Sequence, residues 1–306
     1  MELPSERISF IIGICAHNER HGTELLLRRL QAEQFVHSLD SIVVVSTAST
    51  DGTDETVRAF ENDKIHLVRE EVRRGKYTAI NQILEWGRNR GVAVIVLISA
   101  DVVPLRGAVD SLVSKFEDQT VGCVSGRPVV WNRTGVMGMI GRALWETHHE
   151  TFSFHASRES ITHATGELMA CRTEAVETLP KIMIDDVYLA NVVLNNGFSV
   201  LYEPQAEVMI WAPTRLTDLW KQRKRNLQGL RELREHGTNL QTLTYSGIPM
   251  IALIILRVVR RNPSLIPAMP AVLLIELLGR VYAHFIRPQK VAWDMILTAK
   301  PITLTR

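Results

Sequence analysis

The stretch VLISADVVP, residues 96–104, is an apolar run that stops at a single carboxylate, Asp101, two residues after Ser99. A carboxylate at the end of a buried strand is a candidate anchor for Mg2+ or Mn2+, with the remaining ligands coming from substrate phosphates and water. Further on, IDDVYL sets Asp185 beside Asp186, and adjacent carboxylates can divide their protonation so that one stays ionised. RRGKYT puts Lys76 at the start of a helical pattern, a place suited to a phosphate. Each has a plainer reading: Asp101 as the cap of a helix beginning near Leu105, the acid pair as an N-cap, Lys76 as a solvated lysine.

The elements that must position these residues come from periodicity. ISFIIGIC (8–15), SIVVVS (41–46), IHLVRE (65–70), VAVIVLIS (92–99) and VGCVSG (121–126) read as strands, most of them continuous apolar runs of the kind covered on both faces. TELLLRRLQAEQFVHSL (23–39), GTDETVRAFEN (52–62), KYTAINQILEWGRNRG (76–91) and RGAVDSLVSKFED (106–118) have helical spacing, with Gly91 at a helix stop. Alternation of this kind predicts an α/β fold with a mostly parallel sheet, and such sheets bind ligands at the carboxyl ends of their strands. Polar residues gather at those ends: AHNER (16–20), TASTDGT (47–53) and ADVVP (100–104).

Several chemistries fail on spacing. No G-x-G-x-x-G follows a strand, RRGKYT lacks the first glycine of a phosphate loop, and GCVSG is not a nucleophile elbow. The histidines of THHETFSFHASRESITH (147–163) lack H-E-x-x-H and a cysteine pair, so they read as loop or helix-surface residues. Three cysteines, Cys15, Cys123 and Cys171, lie in apolar stretches without paired spacing, which fits a reducing cytoplasm. MELPSERISFIIG has only a strand-length apolar segment, so the chain is expected to start in the cytoplasm.

Hydrophobic residues make up 46% of the 306, and the net charge of +2 hides a split. Residues 1–214 carry 20 Lys and Arg against 28 Asp and Glu, whereas residues 215–306 carry 15 against 5. After Arg215, the basic stretch LTDLWKQRKRNLQGLRELREHG precedes two apolar pieces, YSGIPMIALIILRVVRR and SLIPAMPAVLLIELLGRVYAHFI. Arg257 interrupts the first, and Glu276 with Arg280 the second. Neither is an unbroken run of the ~20 apolar residues that a spanning helix usually needs. Short apolar helices with basic borders suit a membrane interface, while buried helices of a C-terminal subdomain are the plainer alternative. The basic stretch lacks a nucleic-acid recognition motif, and no nucleic-acid partner is expected.

Taken together, the strand exits resemble family 2 inverting glycosyltransferases of the GT-A fold. ISFIIGICAHNER is similar to the opening strand and its AYNE exit, IVVVSTASTDGTDETV to the second strand and its DDGSTDGT turn, and RRGKYTAIN to the GK-x-x-A-L-N helix start. VLISADVVP is similar to the strand ending in Asp-x-Asp. IMIDDVYLANVVLNNGFSVLYEPQAEV resembles the EDxxL…GYRVxYxPxAxV segment, and WKQRKRN the Q-x-x-R-W motif of membrane-bound members. Six pieces in the right order cover roughly residues 8–229.

The resemblance implies roles. Asp101 is the last acid of Asp-x-Asp and the metal contact, with Ser99 in place of the first acid, which usually meets the ribose. Asp186 is the general base toward the acceptor hydroxyl, and Asp185 supports it. Ala16, His17, Asn18, Glu19, Thr47 and Asp51 form the nucleoside pocket, with Lys76 on a phosphate. Gln222 and Arg225 close the acceptor and diphosphate site, and Asn226 stands where the motif has tryptophan. That loss, and the lack of a long set of spanning helices, favours transfer of one sugar over polymer synthesis.

The expected protein is a membrane-associated, Mg2+- or Mn2+-dependent glycosyltransferase. Residues 1–214 would form the GT-A domain and residues 215–306 the basic and apolar helical region. It would move a sugar from a nucleoside diphosphate, UDP ahead of GDP, to a lipid, lipid-linked or glycan acceptor on the cytoplasmic membrane face. A nucleotidyltransferase on a related sheet and a non-catalytic nucleotide-binding membrane protein are the rivals.

Overall fold

The computed structural model describes residues 7–235, 242, 246–285 and 299–300. In chain order the elements are β1 (Ser9–Ala16), α1 (Arg20–Gln31), β2 (Ser38–Thr47), α2 (Thr53–Arg58), β3 (Ile65–Glu70), α3 (Lys76–Arg90), β4 (Val94–Ser99) and β5 (Val103–Pro104). Then come α4 (Ala108–Val113), β6 (Val121–Val130), α5 (Gly135–Ala156), β7 (Leu168–Arg172), α6 (Asp185–Asn195), β8 (Ser199–Ile210), α7 (Leu216–Glu235), α8 (Ile248–Arg261) and α9 (Met269–Phe285). The expected starting segment 1–6, the end of the basic stretch (236–237), Tyr245 and Ile286 lie outside the described residues.

Among the described residues, eight strands form one sheet in the order β3-β2-β1-β4-β7-β6-β8-β5. The first four are parallel, with Ile12 opposite Ile42 and Val96. Because side chains alternate along a strand, each apolar run feeds two cores. Phe10, Ile12, Ile14, Val44 and Val96 pack with Leu26, Leu27 and Leu112 of α1 and α4 on one face, while Ile11, Val43 and Ile95 meet Ile80, Ile83 and Leu84 of α3 on the other. Gly91 takes the left-handed conformation expected of a helix stop, at φ 64°.

The sheet is not wholly parallel. β7 inserts antiparallel between β4 and β6, with Leu168 opposite Ile98. Its start therefore meets the end of β4, and Gly166 and Glu167 arrive beside Ser99. The long helical pattern at 23–39 is also shorter than its periodicity predicts. α1 ends at Gln31 because Phe35 turns inward to meet Phe10 edge-on, with ring centroids 5.5 Å apart, and Ser38 already pairs with Ser9.

The C-terminal helices lean on α5 and α7. Ile140 and Ala143 of α5 share a small core with Leu219, Val258, Leu265, Val272 and Ile275. Two acids fix the arrangement. Glu150, 1% exposed, accepts hydrogen bonds from Arg257 Nε at 2.7 Å and from an Arg261 guanidinium nitrogen at 2.6 Å. Glu276 of α9 pairs with Arg223 of α7. The stretch Pro263–Tyr282 is long and apolar enough to cross a membrane by length and composition, but it begins as a 3-10 turn, Pro263–Ala268, before α9.

Candidate active site

A cavity of about 550 Å³ opens where β1, β2 and β4 end, a size typical of small-molecule sites. Ala16, His17, Glu19, Thr47, Lys76, Ser99, Asp101, Asp185, Asp186, Gln222 and Arg225 all line it, so most of the residues singled out from the sequence converge.

The first two exits are tied together. The backbone turns through the left-handed region at Asn18 (φ 51°) and at Ala48 (φ 48°). Asn18 does not line the cavity: its Oδ1 accepts the Thr50 N–H at 2.7 Å. Asp51 is likewise spent on the loop, accepting the N–H groups of Arg20 and Thr53, each at 3.0 Å. The side-chain oxygens of both satisfy backbone donors that the sharp turns leave unpaired, which ties the two exits together. His17 Nδ1 donates to the Thr47 carbonyl at 2.6 Å, and burial lowers the ring's pKa, so the neutral imidazole faces the cavity. The Thr47 hydroxyl donates to the Ala16 carbonyl at 3.3 Å and keeps its lone pairs.

The third exit carries Asp101. It does not cap a following helix, since Gly107 precedes α4. Burial pushes its carboxyl up from the usual range, with Lys76 and Arg225 acting in the opposite direction. The Ser99 hydroxyl donates to the Gly166 carbonyl at 2.8 Å, so it welds β4 to the segment leading into β7. Behind this exit the first turn of α1 presses close: a Cβ at Gly22 would lie 2.5 Å from the Ala100 carbonyl oxygen and 3.1 Å from the Asp101 Cα.

Asp185 and Asp186 open α6. Lys76 donates to Asp185 at 2.9 Å, so its ammonium faces the acid pair instead of standing free for a phosphate. Desolvation is the largest single influence and works against that ammonium, but Asp185, Cys15 and Asp186 together outweigh it and the pKa is raised. Asp186 Oδ2 accepts the Gly166 N–H at 2.7 Å. Desolvation and the neighbouring Asp185 charge push Asp186 up to about 6. A carboxylate poised near neutrality is suited to taking a proton.

Glu167 was not among the sequence candidates. It lines the cavity, and desolvation followed by the Asp186 charge raises it to about 7. The one signal for it was its place at the head of the apolar run LMACR, a strand too short to stand out. The histidine segment also differs from expectation. His148 and His163 are held neutral by burial, at about 3 and about 4, and line the cavity with Trp145 and Phe152, so they are wall residues and not surface ones.

One cation enters from the far end of the chain. The Lys300 ammonium lies 3.0 Å from Asp101 Oδ2 and also contacts Glu19. Two carboxylates from different exits are thus close enough to share one cation. Among the described residues no cluster of three or more His, Cys, Asp and Glu could hold a metal ion. A metal bound by this pair would fill the rest of its shell from other oxygens, including those of substrate and water.

A parallel half-sheet with its site at the strand ends, extended by an antiparallel insertion, defines the GT-A class of nucleotide-sugar glycosyltransferases. A sequence model of Glycosyl transferase family 2 matches residues 11–179, more than half of the chain, and the protein belongs to that family. The poly-beta-1,6-N-acetyl-D-glucosamine synthase of Staphylococcus aureus (strain COL) is 24% identical over 251 residues, covering 78% of this chain and 58% of that protein. The synthase of the same name from Staphylococcus epidermidis is 23% identical over 246 residues with the same coverage. The chain spans 58% of the length of these relatives. Among solved structures, the mannosyltransferase PcManGT from Pyrobaculum calidifontis, in complex with GDP-Man and Mn2+, matches with a TM-score of 0.58 at 22% identity, covering 92% of this chain and 74% of that one. Glucosyl-3-phosphoglycerate synthase from Mycobacterium tuberculosis, with Mn2+, UDP and phosphoglyceric acid, matches at 0.51 and 16% identity over 74% of this chain and 77% of that one. These likenesses establish the fold.

Proposed function

We propose that this glycosyltransferase moves one sugar, with inversion, from a nucleoside diphosphate to an amphiphilic acceptor at the cytoplasmic membrane face. The observation that carries the proposal is the layout of the cavity. Glu19 and Asp101 stand at the strand exits and Asp186 at the head of α6, and the same space runs on to Leu144, Leu219 and Ile275 beneath the C-terminal helices. Donor chemistry and an apolar approach meet in one chamber.

In this reading the Asp186 carboxylate accepts the acceptor hydroxyl's proton as that oxygen attacks the anomeric carbon and the bond to the diphosphate oxygen breaks. Asp185 and Lys76 hold each other in place and keep a counter-charge beside the base. Asp101, with Glu19 in reach, would hold Mg2+ or Mn2+. When bound, the metal would neutralise charge on the leaving diphosphate. Arg225, whose charge already acts on Asp101, and Gln222 close the chamber over the diphosphate. His17 and Thr47 meet the base and Ser99 lies by the ribose, with UDP ahead of GDP.

Residues 1–214 serve as the catalytic domain and residues 215–306 as the interface region, in part outside the described residues. α8 and α9 leave Leu253, Leu256, Leu273, Leu274, Leu277, Leu278 and Val281 exposed, and Arg260 and Arg261 end α8. Apolar faces with basic borders favour a helix pair lying in the interface. The synthases this chain resembles carry the name of a polysaccharide, which favours a growing glycan as a second kind of acceptor.

The test is calorimetric titration of the full chain with UDP and GDP, each with Mn2+, Mg2+ or EDTA, repeated on Asp101→Asn. Metal-dependent binding of one nucleotide, lost in the variant, is the expected result. No binding of either would favour the non-catalytic rival.

A further inference from the structure

Lys300 stands 199 positions along the chain from Asp101, yet its side chain, only 22% exposed, ends between two donor-site acids. Among the described residues neither Glu19 nor Asp101 has another ion-pair partner. These are also the oxygens that a divalent cation would need.

An ammonium and a divalent ion compete for them. Metal–oxygen bonds to Mg2+ are about 2.1 Å long, so a metal on the Asp101 oxygen would lie close beside an ammonium hydrogen-bonded to that oxygen, with like charges facing each other. A lysine is suited to a temporary seat, being a point charge on a flexible four-carbon stem without the bidentate grip of arginine.

We propose that Lys300 is a built-in occupant of the cation seat: in the donor-free protein its single charge bridges Glu19 and Asp101, and it must withdraw before a divalent cation can bind. This rests on the reading of Asp101 as the metal contact. The consequence is an order of loading. Metal alone competes with a tethered cation and binds weakly. Metal arriving with a nucleoside diphosphate gains the diphosphate's oxygens and displaces the lysine.

The experiment needs no sugar transfer. Free Mn2+ is followed by electron paramagnetic resonance during titration of the full chain, as wild type, Lys300→Ala and Lys300→Met, each also with Asp101→Asn. If the lysine holds the seat about nine-tenths of the time, both single variants bind Mn2+ about tenfold more tightly than wild type without nucleotide. Adding UDP or GDP shrinks that difference. In wild type, amine labelling of Lys300, read by mass spectrometry, rises when Mn2+ alone is added, which separates a vacated seat from a mere change in nearby charge.

Equal or weaker Mn2+ binding in the variants, still abolished by Asp101→Asn, would overturn the role of Lys300 and leave the donor site standing. Tighter binding without a rise in wild-type labelling would overturn it too. Failure to find Asp101-dependent Mn2+ binding in any of these proteins would remove the donor-site reading and this inference together.

Discussion

The two walls of the cavity are made of opposite materials. The strand-exit wall rests on β1, β2 and β4, whose side chains are close-packed on both faces, and its loops are cross-tied by Asn18 and Asp51. The helical wall rests on a thin core and two acid–arginine clamps, and it turns much of its apolar surface outward. Apolar content alone does not separate them. What differs is where the apolar side chains go: into the domain in one wall, outward to the surface in the other. In the proposed reading the nucleotide is held by the first wall, the base stands at the head of α6 between the two, and the acceptor approaches along the second.

The sharpest way to break this division is at the base. Asp186→Asn should slow transfer about 10³-fold while nucleotide binding stays within a few-fold, read by single-turnover rates beside calorimetry. A comparable loss of both would mean that the acid belongs to the strand-exit wall.

Next in size is Glu150→Gln. It leaves two guanidinium groups facing a neutral amide, and because both arginines are partly in water the expected loss is about 2 kcal/mol, not the larger cost of a fully buried pair. Chemical denaturation measures it. An unchanged midpoint would show that the helices are held without the clamp.

A smaller effect is expected at the outward face. Leu274→Ser with Leu278→Ser should lower partition onto anionic vesicles about tenfold and leave folding stability within about 0.5 kcal/mol. Unchanged sedimentation with vesicles would remove the interface assignment and leave a merely exposed face.

The mildest test is pH. Asp186, raised to about 6, accepts protons only when ionised, so kcat/KM should halve near pH 6 and keep falling below it, and the limb should vanish in Asp186→Asn. A carboxyl raised on folding binds its proton more tightly in the folded state. Its contribution to stability is therefore complete below the unfolded value near 4 and is lost as pH rises through about 6. Asp186→Asn should accordingly be no less stable than wild type at pH 7.

Much of the strand-exit wall was legible because its signals are local. Four apolar runs ending in polar exits define β1 to β4, and the acids at those exits can be picked out without knowing the pairing. The remainder depends on contacts between distant segments. LMACR becomes a strand by filling the gap between β4 and β6, which places Glu167 in the site. α5 was missed because Gly135, Gly138 and Gly141 dilute its helical pattern. Glu150 reads as one polar residue among histidines until Arg257 and Arg261 arrive beside it. Lys300 sits in LTAK with no local hint that it reaches Asp101. Asn18 and Asp51 stand out in the sequence, but that the loop's own N–H groups bond to them is visible only once the two exits lie side by side.

Gly22 carries a consequence for anyone re-engineering this enzyme. It touches no substrate in the proposed layout, yet a single methyl group there would collide with the Ala100 carbonyl and crowd the Asp101 backbone. A saturation library read out by growth or turnover would rank position 22 beside the acids themselves. Variants that test the proposed cation role of Asp101 have to be designed with the α1 packing surface held fixed.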